Sequence, residues 1–117
     1  MSRPSPTSLG KAAEEATAEY LRKGSYEILE LNWRRRTCEI DVIAKKDEII
    51  YFVEVKYRTA ASQGSGLDYI TPKKLKQMRF AANFWVAENN WPGDYRLMAA
   101  EVASDNLKPK LSKLVEV

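Results

Sequence analysis

Apolar residues recur at helical spacing in two parts of the chain and predict two helices. The first runs over about 9–23, where Ser8 suits the N-cap and Gly24 the position just past the end. Its predicted buried stripe is Leu9, Ala12, Ala13, Ala16 and Tyr20. The second runs over about 72–90, with Thr71 as N-cap and Pro72 at the favoured first helical position. Its predicted buried residues are Leu75, Met78, Ala82, Trp85 and Val86.

Shorter apolar or alternating segments predict the strands. We expect strands over 26–31, 38–46, 49–58 and 95–102, and a further strand near 111–117 is left open. A basic loop is predicted over 32–37 and a mobile loop, rich in small residues, over 59–67. The order α-β-β-β-α-β predicts an α/β fold. We assign residues 1–8 to a flexible N-terminal tail and residues 9–117 to a single domain.

The central hairpin carries the most informative pattern. A two-residue connection at Asp47 and Glu48 would fix the register of its strands, although this turn lacks the glycine that tight hairpins favour. The expected cross-strand pairs are Lys46 with Ile49, Ile43 with Phe52, Val42 with Val53, Asp41 with Glu54, Ile40 with Val55, and Glu39 with Lys56. Because side chains alternate along a strand, one face would be wholly apolar, with Cys38, Ile40, Val42 and Ala44 on the first strand.

Two carboxylates, Asp41 and Glu54, would then lie opposite each other on the second face. Facing like charges destabilise a sheet, so either one carboxyl stays protonated or a cation lies between the two. We favour the cation, because Mg²⁺ takes one or two protein carboxylates together with water and phosphate oxygens. Lys56, on the same face, would position the attacking water or stabilise developing charge. The alternative is a plain surface ion pair between Glu39 and Lys56.

Glu14 is a further candidate for this site. It lies at the border of the apolar stripe of the first helix, where a carboxylate can point along the sheet toward the site and hold a metal-bound water. The alternative is a border glutamate that extends into solvent.

Composition narrows the chemistry further. The 117 residues contain no histidine, which excludes Ser-His and Cys-His catalysis and histidine-ligated zinc. The net charge is +3, and basic residues cluster over 34–36 and at the start of the second helix, a distribution that can neutralise phosphates. With no apolar run of about 18 residues, no signal peptide and one cysteine, we expect a cytoplasmic protein without a membrane segment.

Four segments together resemble the bacterial YraN-type family of predicted endonucleases. They read GKAAEEATAEYL (10–21), ILELNWR (28–34), EIDVIA (39–44) and FVEVKYR (52–58), and the match extends to Lys74 and Ala81–Ala82. The family is similar to archaeal Holliday-junction resolvases within the PD-(D/E)XK superfamily. The resemblance covers about residues 10–84. It implies a restriction-endonuclease-like mixed β-sheet flanked by helices.

The resemblance also implies a site and a substrate. Asp41, Glu54 and the backbone carbonyl of Val55 would bind Mg²⁺ or Mn²⁺, Lys56 would serve the attacking water, and Glu14 would complete the catalytic set. The residues expected to contact DNA phosphates are Arg34, Arg35, Arg36, Arg58, Lys73 and Lys74.

The leading hypothesis is therefore metal-dependent hydrolysis of DNA, with branched or non-duplex DNA as a candidate substrate. The main alternative is a nucleic-acid-binding module that kept the nuclease fold without its activity. A third is a structural or protein-interaction domain in which the hairpin charges form surface ion pairs. A homodimer stays open, because a resolvase needs two sites but the sequence indicates no interface.

Overall fold

The computed structural model describes residues 6–58, 69–105 and 108–117. The elements, in chain order, are α1 (Pro6–Lys23), β1 (Glu27–Arg34), β2 (Glu39–Lys46), β3 (Ile49–Arg58), α2 (Pro72–Asn89), β4 (Asp94–Asp105) and β5 (Lys108–Glu116). Helix α1 begins earlier than predicted, so residues 6–8 are helical rather than part of a tail. Residues 1–5 of that predicted tail, and the predicted mobile loop over 59–67, lie outside the described residues.

The five strands form one mixed sheet in the order β1-β2-β3-β4-β5. Neighbours pair antiparallel except β3 and β4, which run parallel from Ile49–Asp94 to Arg58–Ala103. A parallel pair needs a crossover, and α2 supplies it. The predicted α/β class and element order are therefore confirmed, and the strand left open at the C-terminus is β5.

The two helices cover opposite faces of the sheet. On one face, Met78, Ala81, Ala82 and Trp85 of α2 pack in a buried cluster with sheet residues that include Ile43, Ile50 and Phe52. On the other, Leu21 of α1 packs with Val42, Ala44, Val53, Met98 and Ala100. We call these the α2-side and α1-side cores. No helix in the described ranges is long and apolar enough to cross a membrane.

The predicted buried stripe of α1 is wrong in part. Tyr20 is 54% exposed and Leu9 is 37% exposed, and the buried positions are Ala13, Thr17, Ala18 and Leu21. A threonine can occupy the core here because its hydroxyl donates to the Ala13 carbonyl at 3.0 Å. The helix is thus rotated about its axis relative to the expected orientation.

The predicted cap of α2 agrees with the structure, and of its predicted buried residues Met78, Ala82 and Trp85 are buried, whereas Leu75 and Val86 are only partly buried. Thr71 is the N-cap and its side chain accepts from Lys74 N–H at 3.0 Å, with Pro72 as the first helical residue. The helix ends at Asn90 in the left-handed conformation.

The basic loop is shorter than predicted. Residues 32–34 belong to β1, and the connection to β2 is closed by Arg35 N–H donating to Cys38 C=O at 2.8 Å. Only Arg35 and Arg36 of the predicted arginine loop are therefore outside a strand.

The hairpin register is confirmed near the turn. Lys46 pairs with Ile49, Ile43 with Phe52 and Val42 with Val53. Asp47 and Glu48 both take positive φ, at 51° and 63°, as a two-residue type I′ turn requires. The turn therefore forms without glycine, at the cost of two side chains in the left-handed region.

Replacing Glu48 with glycine should relieve part of this cost. We expect Glu48→Gly to raise the free energy of unfolding by about 0.5–1 kcal/mol, measured by urea titration. Glu48→Ala is the matched control, because it also removes the exposed 3.5 Å ion pair with Lys45 but keeps a Cβ. Equal effects of the two variants would show that the turn is not strained.

Candidate functional site

Strands β2 and β3 part at the position where the carboxylates begin. Their regular pairing ends at Val42 and Val53, so the predicted opposition of Asp41 with Glu54, Ile40 with Val55, and Glu39 with Lys56 is wrong. Beyond this point β2 stays paired with β1, and β3 stays paired with β4. In place of a ladder bond, Val55 N–H donates to Asp41 Oδ2 at 2.8 Å. The Asp41 side chain thus bridges the parted strands.

A backbone irregularity at Asn32 accompanies this parting. Asn32 has a φ of 54°, a conformation that asparagine tolerates better than most residues. Leu31 and Val42 pack against the α1-side core, whereas their near neighbours Trp33 and Ile40 belong to the α2-side core. Regular alternation would keep residues two apart on one face. The predicted apolar face is therefore split, with Cys38 and Ile40 on the α2 side and Val42 and Ala44 on the α1 side.

Asp41 lies in an environment that disfavours its charge. Burial, and next the nearby charge of Glu54, raise the pKa of Asp41 to about 8, although the N–H of Val55 acts in the opposite direction. A side-chain hydrogen bond joins Asp41 to Glu14, whose pKa is also raised by burial. Two carboxyls sharing a hydrogen bond need one proton between them, and the raised pKa of Asp41 favours the protonated form of this group. Glu14 of α1, Asp41 of β2 and Glu54 of β3 therefore lie together, and we call these three residues the acidic group.

Glu54 lies on the α2 side of this group. Its Oε2 is 2.9 Å from Nζ of Lys74, and the two side chains are 21% and 35% exposed. Lys74, predicted to contact phosphate, therefore already neutralises a carboxylate. Lys56, two residues further along β3, is exposed, and its Cα partner in the parallel ladder is Glu101.

Arg58 is held at the end of β3 by a largely buried ion pair. Its Nε lies 2.8 Å from Glu101 Oε2, and the two side chains are only 16% and 15% exposed. The guanidinium also lies over the ring of Tyr69, 5.5 Å from the centroid, and Tyr69 Oη donates to the Ala100 carbonyl at 3.1 Å. Burial raises the pKa of the Tyr69 phenol, so it stays a donor. No sequence pattern predicted a role for Tyr69, which lies between the predicted loop and the second helix.

A basic cleft of about 750 Å³ opens beside Glu54. Its walls come from the β1–β2 connection and from the first half of α2. The residues that line it include Arg35, Arg36, Glu54, Lys73, Lys76 and Phe80. Of the cationic ones, Arg36, Lys73 and Lys76 form no ion pair with any described residue. The cleft thus joins the acidic group to unneutralised positive charge.

The remaining predicted phosphate contacts are engaged with the protein. Arg35 makes a bidentate contact to Glu88, at 2.7 and 2.9 Å, and stacks over Trp33 at 4.6 Å. The hydrogen bonds from Arg35 lower the pKa of the Glu88 carboxyl. Arg34 bonds Asn32 Oδ1 at 3.0 Å and lies 3.5 Å from Glu39. Of the predicted phosphate contacts, the structure therefore brings Arg35, Arg36, Lys73 and Lys74 to the cleft, and it orients Arg35 through its partners.

The donor chemistry of the acidic group fits a hard divalent cation. Within the described residues, no three Asp, Glu, Cys or His side chains converge tightly enough to hold a metal alone. Mg²⁺ needs less than that, because it commonly binds through one or two carboxylates and keeps several waters. Asp41 and Glu54, with the Val55 carbonyl that follows, supply oxygen ligands only. The proton on Asp41 marks a position where positive charge is favourable.

Comparisons with known proteins bear on the family. The model of the family described as "Uncharacterised protein family UPF0102" matches residues 13–104. The chain belongs to this family. A UPF0102 protein of Christiangramia forsetii is 35% identical over 106 residues, which cover 91% of this chain and 89% of the relative. The family membership indicated by the four sequence segments is thereby confirmed.

Other UPF0102 proteins match over shorter stretches of the chain. One from Flavobacterium psychrophilum is 42% identical over 82 residues, covering 70% of this chain and 69% of its own length. One from Pseudomonas putida is 36% identical over 95 residues, covering 81% and 77%. The family match contains Glu14, Asp41, Glu54, Lys56 and the cleft.

The raised pKa of Asp41 predicts how metal-free stability depends on pH. Its ordinary value is 3.8 and its folded value about 8, so the folded protein binds more protons in this window and loses stability as pH rises through it. Asp41→Asn keeps an acceptor for Val55 N–H and removes the titration. In EDTA at about pH 8, we expect the free energy of unfolding of this variant to exceed that of wild type by roughly 2 kcal/mol. Its melting temperature should be higher accordingly. The difference should vanish near pH 4.

Asp47→Asn is the control for this experiment, since it makes the same chemical change at an exposed turn. It should follow the wild-type profile. Parallel profiles for wild type and Asp41→Asn would contradict the proposed environment of Asp41.

Proposed function

We propose that this protein is a metal-dependent endonuclease that hydrolyses DNA phosphodiester bonds, with branched or otherwise non-duplex DNA as its substrate. The observation that carries the proposal is the clustering of Glu14, Asp41 and Glu54 at a parting of the sheet beside a basic cleft. Carboxylates alone repel a polyanion, and a cleft of cations alone only binds it. The two together suit hydrolysis of a phosphodiester that the cations hold in place.

The proposal assigns the metal to Asp41, Glu54 and the Val55 carbonyl. Mg²⁺ or Mn²⁺ bound there would polarise the scissile phosphate and lower the pKa of a water molecule. Asp41 would give up its proton to a bound cation, so binding should become stronger as pH rises. The bond from Val55 N–H then fixes the orientation of the Asp41 carboxylate. Glu14 gains a free oxygen and can accept a hydrogen bond from water.

Lys56 would act on the reacting phosphate from the open side of the sheet. It is exposed at the same end of β3 as Glu54, so its ammonium can approach the attacking water or the phosphate oxygens. Arg58, fixed by Glu101, is suited to holding β3 and β4 together at this position. The phosphates on either side would be neutralised by Arg36, Lys73 and Lys76.

The second candidate function is a nucleic-acid-binding module without catalysis. The specific observation in its favour is Lys74, whose ammonium lies within 2.9 Å of a Glu54 oxygen that the nuclease needs as a ligand. If this ion pair persists in the presence of metal and DNA, the cleft binds nucleic acid but the acidic group stays closed.

Cleavage tests the nuclease directly. With Mn²⁺ or Mg²⁺, we expect labelled four-way-junction, single-stranded and linear duplex DNA to be cut to different extents, and none to be cut in EDTA. Lys56→Ala should lower the rate by roughly 10²-fold or more, as loss of one charge-stabilising donor does. Lys23→Ala, at the exposed end of α1, should leave it unchanged. Cutting that survives Lys56→Ala at the wild-type rate would point to a contaminating enzyme.

Metal binding separates the two candidates. In calorimetric titrations with Mn²⁺, the nuclease predicts binding to wild type that is lost in Asp41→Asn. The binding module predicts no binding to wild type but a gain in Lys74→Gln, because this change frees Glu54. If none of the three proteins binds Mn²⁺, the predictions of both candidates are contradicted and the proposed metal site is absent.

A further inference from the structure

Phe80 is the large apolar side chain that the fold leaves uncovered at the cleft. It is 54% exposed and lines the cleft together with Arg36, Lys73 and Lys76. Single exposed apolar residues are common and need no explanation by themselves. Here the ring lies among cations that have no ion-pair partner in the described ranges. An exposed aromatic ring in a basic groove is the arrangement that holds unpaired bases.

The ring is held from behind by other aromatic side chains. Phe80 packs edge-on against Phe84 at a centroid distance of 6.3 Å, and Phe84 packs against Trp33 at 5.9 Å. Arg35 stacks over the Trp33 ring, with its guanidinium carbon 4.6 Å from the ring centroid. Support of this kind restricts the Phe80 side chain while leaving much of its ring open. A partner ring can therefore stack on it without a large loss of side-chain entropy.

The position of Phe80 along α2 places it at a useful distance from the acidic site. Lys73, Lys76 and Phe80 recur at three- and four-residue spacing and share a helix face. Phe80 lies six residues after Lys74, the partner of Glu54, which is about 9 Å along the helix axis. That is the length of two or three stacked nucleotides at roughly 3.4 Å each. A strand with one phosphate near Glu54 can thus present a base two or three nucleotides away to Phe80.

Charge decides which occupant suits this surface. A second copy of the chain placed on Phe80 would bring Arg36, Lys73 and Lys76 against their own counterparts, which is unfavourable. A nucleic-acid strand meets the same cations with phosphates. Stacking on a ring needs an exposed base face, which continuous duplex does not offer. We propose that Phe80 is a stacking platform for an unpaired base, so that the cleft favours nucleic acid with single-stranded or extruded nucleotides over continuous duplex.

This inference rests on the proposed function only in placing nucleic acid in the cleft, and its test needs no catalysis. In EDTA, the full chain is titrated into a fluorescent mixed-sequence single strand and into the matching duplex, and anisotropy gives both dissociation constants. Phe80→Leu keeps the apolar volume but loses the ring face. We expect it to weaken single-strand binding about tenfold and duplex binding less than twofold. Phe80→Trp should restore single-strand binding.

Tyr20→Leu is the matched control, because Tyr20 is equally exposed, at 54%, on the helix that covers the opposite face of the sheet. It should change neither dissociation constant. A second readout comes from a single strand that carries 2-aminopurine, whose fluorescence should be quenched by wild type and by Phe80→Trp but far less by Phe80→Leu.

The outcomes separate the two proposals. Unchanged single-strand affinity in Phe80→Leu, or an equal loss for duplex, overturns the platform even if wild type cuts DNA with Mn²⁺. Selective loss for the single strand supports the platform even if no cutting is found, in which case the binding module is the remaining function. If wild type binds neither nucleic acid in EDTA, the platform fails, and the nuclease is judged by the cleavage assay alone.

Discussion

The contact between Val55 N–H and the Asp41 carboxyl is the interaction on which the site depends. Where β2 and β3 part, a strand N–H loses its ladder partner, and a buried N–H without a partner is costly. The Asp41 side chain supplies the missing acceptor at 2.8 Å. The same hydrogen bond holds the Asp41 carboxyl in a poorly solvated position next to Glu54 and Glu14. Satisfaction of one backbone group thus generates the excess of negative charge that a proton or a cation must offset.

Other acidic side chains around the site are paired with basic ones. Glu54 is balanced by Lys74, Glu101 by Arg58 and Glu88 by Arg35. The exposed pair of Arg35 with Glu88 orients its side chains more than it stabilises the fold, since exposed ion pairs contribute little, whereas the pair of Arg58 with Glu101 is largely buried. The cations without an ion-pair partner in the described residues, Arg36, Lys73 and Lys76, line the cleft from both of its walls. The protein therefore separates residues that build the site from residues that can bind a ligand.

The sequence was informative where local rules decide the structure. A two-residue connection with three apolar pairs beyond it determined the hairpin register up to Val42, and the Thr71-Pro72 cap determined the start of α2. Beyond Val42 the alternation rule failed, because Trp33 and Ile40 belong to the α2-side core while Leu31 and Val42 pack on the α1 side, and Asn32 between Leu31 and Trp33 has a positive φ. Asparagine tolerates a positive φ, but its presence in the sequence does not predict one. Likewise, hydropathy cannot indicate that Thr17 is buried, since its hydroxyl is satisfied within the helix.

The irregularity at Asn32 also connects the acidic site to the cleft wall. By turning Trp33 into the α2-side core, it provides the ring against which Phe84 packs, and Phe84 in turn supports Phe80. With regular alternation, Trp33 would lie on the α1 side with Leu31 and this support would be absent. The indole N–H of Trp33 is buried and finds no acceptor in the described structure, which costs free energy. A conformation that accepts such a cost is expected where local geometry serves a site rather than stability alone.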